Sequence, residues 1–371
     1  LPGGRPYLQL ASTIRPSNAS DPRDKLWSIY GFANDANISV ISPATARSLS
    51  ARQLYISSAV WYLSTHGDLE ILGHCTTATD HDLHLPSWVP NWSIRSPRAC
   101  LSPRADPDVR ASAPTYLACG IYKLPMPHDP ISSPFPNAVC LQGIKVAIVD
   151  RSLAMPLLMP EADYVSGRAW EPYDTSDILS LTGCSMDELL ARTLVADCRR
   201  IYYSGRWDSE RIAATESLWS IQNKAFNPYQ WRRTVMGRVL FQTRKISAAS
   251  ESHKVLLGLG PELVQSGDEA WLLKGGNVIY ILRPLVADLP KPLQVLNCSG
   301  ANTDTTATSA IRTHHPPFAR SITKSYSLVG EAFIHGLMDG ELLGMLGDQP
   351  KRARPLPLEG MDRRFCDVLL V

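Results

Sequence analysis

The chain has 371 residues, of which 44% are hydrophobic and 19% charged, with Lys+Arg 37 against Asp+Glu 35 for a formal net charge of +2. The length holds two to three folding units or one large composite, and the ordinary globular composition excludes a wholly disordered chain and a coiled coil. Balanced charge gives no electrostatic case for a nucleic-acid or membrane-surface protein, and no apolar run approaches the roughly 18 residues of a membrane span.

The sequence opens at Leu1, with no methionine and no charged start followed by an apolar stretch. It therefore reads as a fragment or truncated product without a signal peptide. Eight cysteines are scattered, and none sits in a C-x-x-C pair. That usage fits mostly buried thiols in a reducing compartment, so the expected location is cytoplasmic. Four N-x-S triplets, at Asn18, Asn37, Asn91 and Asn297, are then chance occurrences. The 29 prolines predict long irregular connections.

Helical spacing of Leu26, Ile29, Tyr30 and Ala33 predicts a helix over 24–33. A second helix is predicted over 51–66, where Leu54, Ser58, Trp61 and Tyr55, Ala59, Tyr62 form successive i, i+4, i+7 sets. Ser50 is placed to cap its start and Gly67 to end it, and Asp68 can cap a short third helix over 69–74. Prolines on both sides of Ser87-Trp88-Val89 disfavour helix there, and Trp88 and Trp92 read as core anchors for an irregular loop.

Strands are predicted near 115–122 and 139–149, the latter with a change of phase at Gly143 that suggests a bulge. Ser185 heads a capping box before a helix over 186–199, and another helix is expected over 209–225. Further strands are expected at 238–244, 269–273, 278–282 and 326–334, with Gly275-Gly276 as a hairpin signal. The GLGP run at 258–261 reads as a turn, 287–325 as a long loop and 338–345 as a short helix.

Several stretches, taken in order, resemble the fungal heterokaryon-incompatibility (HET) proteins. They are DPRDKLWSIYGFA at 21–33, GDLEIL at 67–72, LPSWVPNW at 85–92, GLGP at 258–261, GDE at 267–269, GGNVIYILRP at 275–284 and LVGEAFIHGLMDG at 328–340. In that family the name-giving HET domain precedes the DPRDK stretch. It resembles TIR domains, which are linked to cell-death signalling and in some members to NAD cleavage. The resemblance therefore implies a carboxy-terminal region lacking the HET domain itself, and no catalytic residue carries over.

The densest group of possible metal ligands is His74-Cys75 with His81 and His84, joined by Asp80 and Asp82. Its spacing matches none of the standard zinc ligand pairs, so a solvated polar loop is the better reading. Gly258-x-Gly260 lacks the third glycine and the Lys-Ser/Thr of a phosphate loop, and Ser321-x-x-Lys324 lacks its partner motifs. Arg23, Asp24 and Lys25 read as helix-start charges, with Asp24 at the favourable end of the dipole. His335, Asp339 and Glu341 stand among glycines, where either a pocket or a set of turns accounts for them. The basic run 351–354 reads as solvated tail.

The resulting expectation is an α+β protein. A helical segment at 1–75 leads into a composite domain at 76–345, whose strands form a small, mostly antiparallel barrel or curled sheet flanked by helices; a loose Pro/Arg-rich tail follows at 346–371. Functionally the chain reads as a regulatory or sensing region without a catalytic site or cofactor. Its expected partner is a HET effector domain, in cis or in trans. An inert truncated product and a metal-dependent hydrolase using the His74 to His84 cluster are the alternatives.

Overall fold

The structure is a computed structural model that describes residues 5–35, 48–76, 83–95, 98–101, 116–120, 137–153, 178, 180–203, 206–225, 234–244, 255–285, 324–344 and 365–371. Its amino-terminal part is helical: α1 (Tyr7–Ile14), α2 (Asp24–Tyr30), α3 (Ala51–His66) and a 3-10 turn (Glu70–His74). Ser50 Oγ accepts from Gln53 N–H at 3.2 Å and Gln53 Oε1 accepts from Ser50 N–H at 2.9 Å, a reciprocal cap that starts α3. Gly67 ends it at φ 65°, and Asp68 Oδ1 then accepts from Glu70 N–H at 3.1 Å. Both expected sets on α3 are buried.

In the DPRDK stretch Asp24 stands in the first turn of α2, as expected, and Lys25 has a further task. Its buried ammonium takes the carbonyls of Ile14 (3.4 Å), Arg15 (2.9 Å) and Ser17, which closes the open carboxy-terminal end of α1. Helix α2 also stops three residues short of expectation, at Tyr30.

Seven of the strands among the described residues build one sheet whose pairings close on themselves. Strand β1 (Val139–Leu153) is 15 residues long, about 50 Å when extended, and serves three partners in succession. Its start pairs with β9 (Cys366–Leu370), its middle with β6 (Glu269–Leu273) and its end with β4 (Arg238–Thr243), all antiparallel. The ring then runs from β6 through β7 (Ile279–Leu285), β8 (Ser325–Ile334) and β5 (Leu257–Pro261) back to β4. Strand β9 also lies parallel to the start of β8, through Ser325↔Leu369 and Tyr326↔Leu370. The expected bulge at Gly143 is displaced: register shifts come between Lys145 and Ala147 and between Val149 and Arg151. Gly143 is there for close approach, since a Cβ would come within 2.7 Å of Leu273 Cδ2.

Several expectations are corrected. The described part of 115–122 is a turn, not a strand. Its N–H groups at Leu117, Ala118 and Cys119 donate to the carbonyls of Met338, Asn277 and Gly276, so two loops, the turn after β8 and the β6–β7 turn, replace a neighbouring strand. Helix α4 (Met186–Leu194) ends early because Ala196 and Asp197 adopt φ 48° and 50°, and β2 (Cys198–Tyr203) follows. It pairs with β3 (Arg206–Arg211), so the helix expected from 209 is only α5 (Leu218–Ala225). The last short helix is α6 (Glu341–Gly344). In the expected tail, 366–370 is strand β9. The long loop at 287–323, the run 351–354 and the ends of the 115–122 strand lie outside the described residues.

GLGP is also a strand, and the reason is an aromatic side chain across the pair. Phe241 on β4 lies opposite Gly258, and its ring covers both glycines; a Cβ would meet it at 2.3 Å from Gly258 and at 3.0 Å from Gly260. Glycines at i and i+2 on one strand face leave the floor on which the ring rests.

Among the described residues most buried apolar side chains form one large cluster from Tyr7 to Leu370, including Trp88 and Trp92, with two small clusters apart from it. Leu69 N–H donates to the Gly275 carbonyl at 3.2 Å and Tyr280 Oη to the Leu69 carbonyl at 3.3 Å, so the helical segment is bonded to the β6–β7 turn. Ser87 joins the Trp loop to the sheet: its N–H donates to the Val371 carbonyl at 3.1 Å, and its Oγ accepts from Leu328 N–H at 2.9 Å. Among the described residues no cysteine is in a disulfide, and four of the seven are buried. No helix among the described residues is long and apolar enough to cross a membrane. Gly258→Ala is expected to cost about 1–3 kcal/mol in urea unfolding, because the methyl forces Phe241 off its seat.

Candidate functional site

The candidate metal ligands are dispersed in environment. The His74 ring is buried 5.5 Å from Trp92, and burial, then the Arg15 charge, lowers its pKa to about 3. Arg15 fixes this corner: Nη1 donates to the His74 carbonyl (2.8 Å), Nη2 to Asn91 (2.7 Å) and Nε to Ile94 (2.8 Å), with the guanidinium 5.2 Å over Trp92. Cys75 is buried, and burial pushes its thiol pKa far up. His84 is exposed at φ 44°, and His81 lies outside the described residues. Among the described residues no three His, Cys, Asp or Glu side chains group closely enough to hold a metal ion.

The densest chemistry gathers instead at the turn after β8, where His335, Asp339 and Glu341 stand. Gly336, at φ 85°, lets the chain reverse where a Cβ would come within 2.7 Å of Leu181 Cβ. The turn is thereby pressed against the 180–184 loop. Thr182 Oγ1 lies 3.0 Å from His335 Nε2 and donates to Cys184 Sγ at 3.3 Å. A hydroxyl has one proton, so with that proton on the sulfur the histidine donates from Nε2 and holds a bare acceptor at Nδ1. His335 Nδ1 is buried and has no hydrogen-bond partner among the described residues.

Around it runs a line of alternating charges from four segments. Glu188 Oε1 meets Arg192 Nε at 2.8 Å, and Arg192 Nη1 meets Asp197 Oδ1 at 2.6 Å. Asp197 Oδ2 meets Arg211 Nη2 at 3.0 Å, and Arg211 Nη2 meets Asp339 Oδ2 at 2.7 Å. Glu341 Oε2 accepts from Asp339 N–H at 2.7 Å. The Arg211 guanidinium also lies 5.1 Å over Tyr116, whose ring is 5.9 Å from Phe333, which in turn is 6.3 Å from His335.

The centre of this line is buried, with Arg192 at 4% and Asp197 at 5% side-chain exposure. Burial raises the Asp197 carboxyl pKa, and Arg211 and Arg192 oppose that. Two guanidiniums on one carboxylate also explain the backbone. Left-handed φ at Ala196 and Asp197 costs on the order of 1 kcal/mol per residue. It puts the carboxylate between both arginines, while the Ala196 carbonyl accepts from Tyr116 Oη. What the arrangement does is join α4, β3, the 116–120 turn and the end of β8 through charge.

Sequence reasoning singled out His335, Asp339 and Glu341 but missed Thr182, Arg192, Asp197, Arg211 and Tyr116. Arg211 and Asp339 are 128 positions apart, and nothing local marks either as the other's partner.

The chain is similar to heterokaryon incompatibility protein 6, OR allele, of Neurospora crassa, at 22% identity over 393 residues covering 90% of this chain and 51% of that protein. The chain thus spans about half the length of the curated relative it matches. The similarity supports a fungal protein of the heterokaryon-incompatibility type. No family model matches the chain, and no solved structure matches it.

Removing Asp197 leaves two arginines at a buried position short of a counter-charge. Asp197→Ala is expected to lower stability by about 3 kcal/mol in urea unfolding. His335 gives a pH signature: burial first, then the charges of Arg192 and Arg211, lower its pKa to about 4. An unfolded histidine takes up its proton near pH 6.5, so between about 6.5 and 4 the unfolded chain binds more protons. The stabilisation is present in full above about pH 6.5 and is lost as pH falls towards 4. His335→Gln is expected to flatten that part of the stability profile by roughly one proton, read from unfolding midpoints at stepped pH.

Proposed function

We propose that this chain is the regulatory half of a heterokaryon-incompatibility-type protein, restraining or releasing a HET effector domain that acts in non-self recognition and programmed cell death. The observation that carries the reading is the span of the similarity, nearly the whole of this chain against about half of the Neurospora protein. The placement of the motifs supports it. Lys25 caps a helix, Trp88 and Trp92 anchor the core, Gly258 and Gly260 seat Phe241, and the 335–341 turn carries the charge line. These are duties of a scaffold whose shape a partner reads. The effector domain is the partner in this proposal, in cis or in trans, and the setting is the cytoplasm.

Titration calorimetry of the full chain with a separately expressed HET domain tests it. Binding with a dissociation constant in the micromolar range or tighter is expected. No heat of binding at protein concentrations of about 100 µM overturns the restraining role.

A further inference from the structure

A thiol, two hydroxyls and an imidazole meet where the 180–184 loop lies against the turn after β8. Cys184 Sγ is 3.3 Å from Ser180 Oγ and accepts from Thr182 Oγ1 at 3.3 Å. Thr182 Oγ1 is in turn 3.0 Å from His335 Nε2. The meeting does not rest on these bonds alone, because Gly336 packs against Leu181 with no room for a Cβ. His335 is 8% exposed and its Nδ1 has no hydrogen-bond partner among the described residues, whereas Thr182 is exposed and Cys184 half-buried. The cluster therefore has a buried polar end at the imidazole and an end open to water at the sulfur.

We infer that Cys184 is a peroxide-reactive thiol, with Ser180 and Thr182 as its positioning residues and His335 behind Thr182. The nucleophile in such a reaction is sulfur carrying negative charge. Hydroxyl donors already placed on the sulfur stabilise the charge that builds there without having to reorganise. With the Thr182 proton on Cys184, the His335 Nε2–H donates to the Thr182 oxygen, so a chain of donors polarised in one direction ends on the sulfur. The step is a two-electron oxidation with hydrogen peroxide as the oxidant. The sulfur attacks one peroxide oxygen, an S–O bond forms and the O–O bond breaks. The thiol proton goes to the departing hydroxide, which leaves as water, and Cys184 remains as a sulfenic acid. A small, neutral, polar oxidant suits a half-buried sulfur set among hydroxyls. The inference goes beyond the regulatory reading, because it concerns chemistry at one side chain and needs no effector domain.

The full chain is exposed to hydrogen peroxide together with a cyclic 1,3-diketone, which traps sulfenic acid, and adducts are followed peptide by peptide in a mass spectrometer. Cys140 and Cys366 are the references, since both are exposed. Cys184 is expected to be trapped about ten-fold faster than either, against the order that exposure alone would set. Thr182→Val is expected to slow Cys184 about five-fold and to leave Cys140 and Cys366 unchanged. Thr182→Ser, which keeps the hydroxyl, is expected to restore the rate. Thr182 is exposed, so neither substitution empties the core. Trapping of Cys184 no faster than of Cys140 and Cys366 overturns the inference. So does a Thr182→Val chain that reacts like the unaltered one, or a Thr182→Ser chain that reacts as slowly as Thr182→Val.

Discussion

Closure of the sheet through one long strand is the constraint on which the rest depends. Strand β1 is the only element among those described that pairs with β9, β6 and β4. Its two register shifts bend it enough to hand over from one partner to the next. Because the ring closes, its strands present few unpaired edges. Strands far apart in sequence must then meet, and glycines fall where they must meet closely. Gly143 admits Leu273, and Gly258 admits Phe241.

Buried charge is handled by one rule among the described residues. Among the described residues each buried lysine or arginine donates to carbonyls or carboxylates. Lys25 takes the end of α1, Arg15 takes three loop carbonyls above Trp92, and Arg192 shares Asp197 with Arg211. The buried Glu331 carboxylate likewise accepts from Leu101 N–H at 2.7 Å and from Cys100 Sγ at 3.4 Å. Such groups are costly to bury and costlier to orphan, so they specify where segments sit more than they add to net stability. The stretches resembling the HET family fall largely on these points and on the glycine contacts. A turn motif such as 335–341 can thus be demanding in sequence because it is the anchor of a charge line.

Local structure was legible wherever a local rule decided it. Ser50, Gly67 and Asp68 act as read, the two stripes of α3 are buried, and Trp88 and Trp92 are in the core. Misreadings share a cause. GLGP is a strand because Phe241, from another strand, supplies the missing side-chain volume. The helix over 186–199 breaks at Ala196 because Arg192 and Arg211 hold Asp197 in a conformation its own propensity does not favour. The last strand was hidden behind a Pro/Arg-rich approach, and its pairing partner β1 begins more than 200 residues earlier.

The sequence by itself determined the α+β class, the helical beginning and most of the ring strands, and it left His335, Asp339 and Glu341 between a pocket and a set of turns. Capping, periodicity and turn chemistry act over a few residues, so they are written locally. Only the tertiary structure decided that Lys25 closes another helix, that the His74 region is core and that Arg211 joins Asp197 to Asp339. Charge pairing and ring closure are set by where the folded backbone brings distant residues, and burial is what gives those meetings their strength.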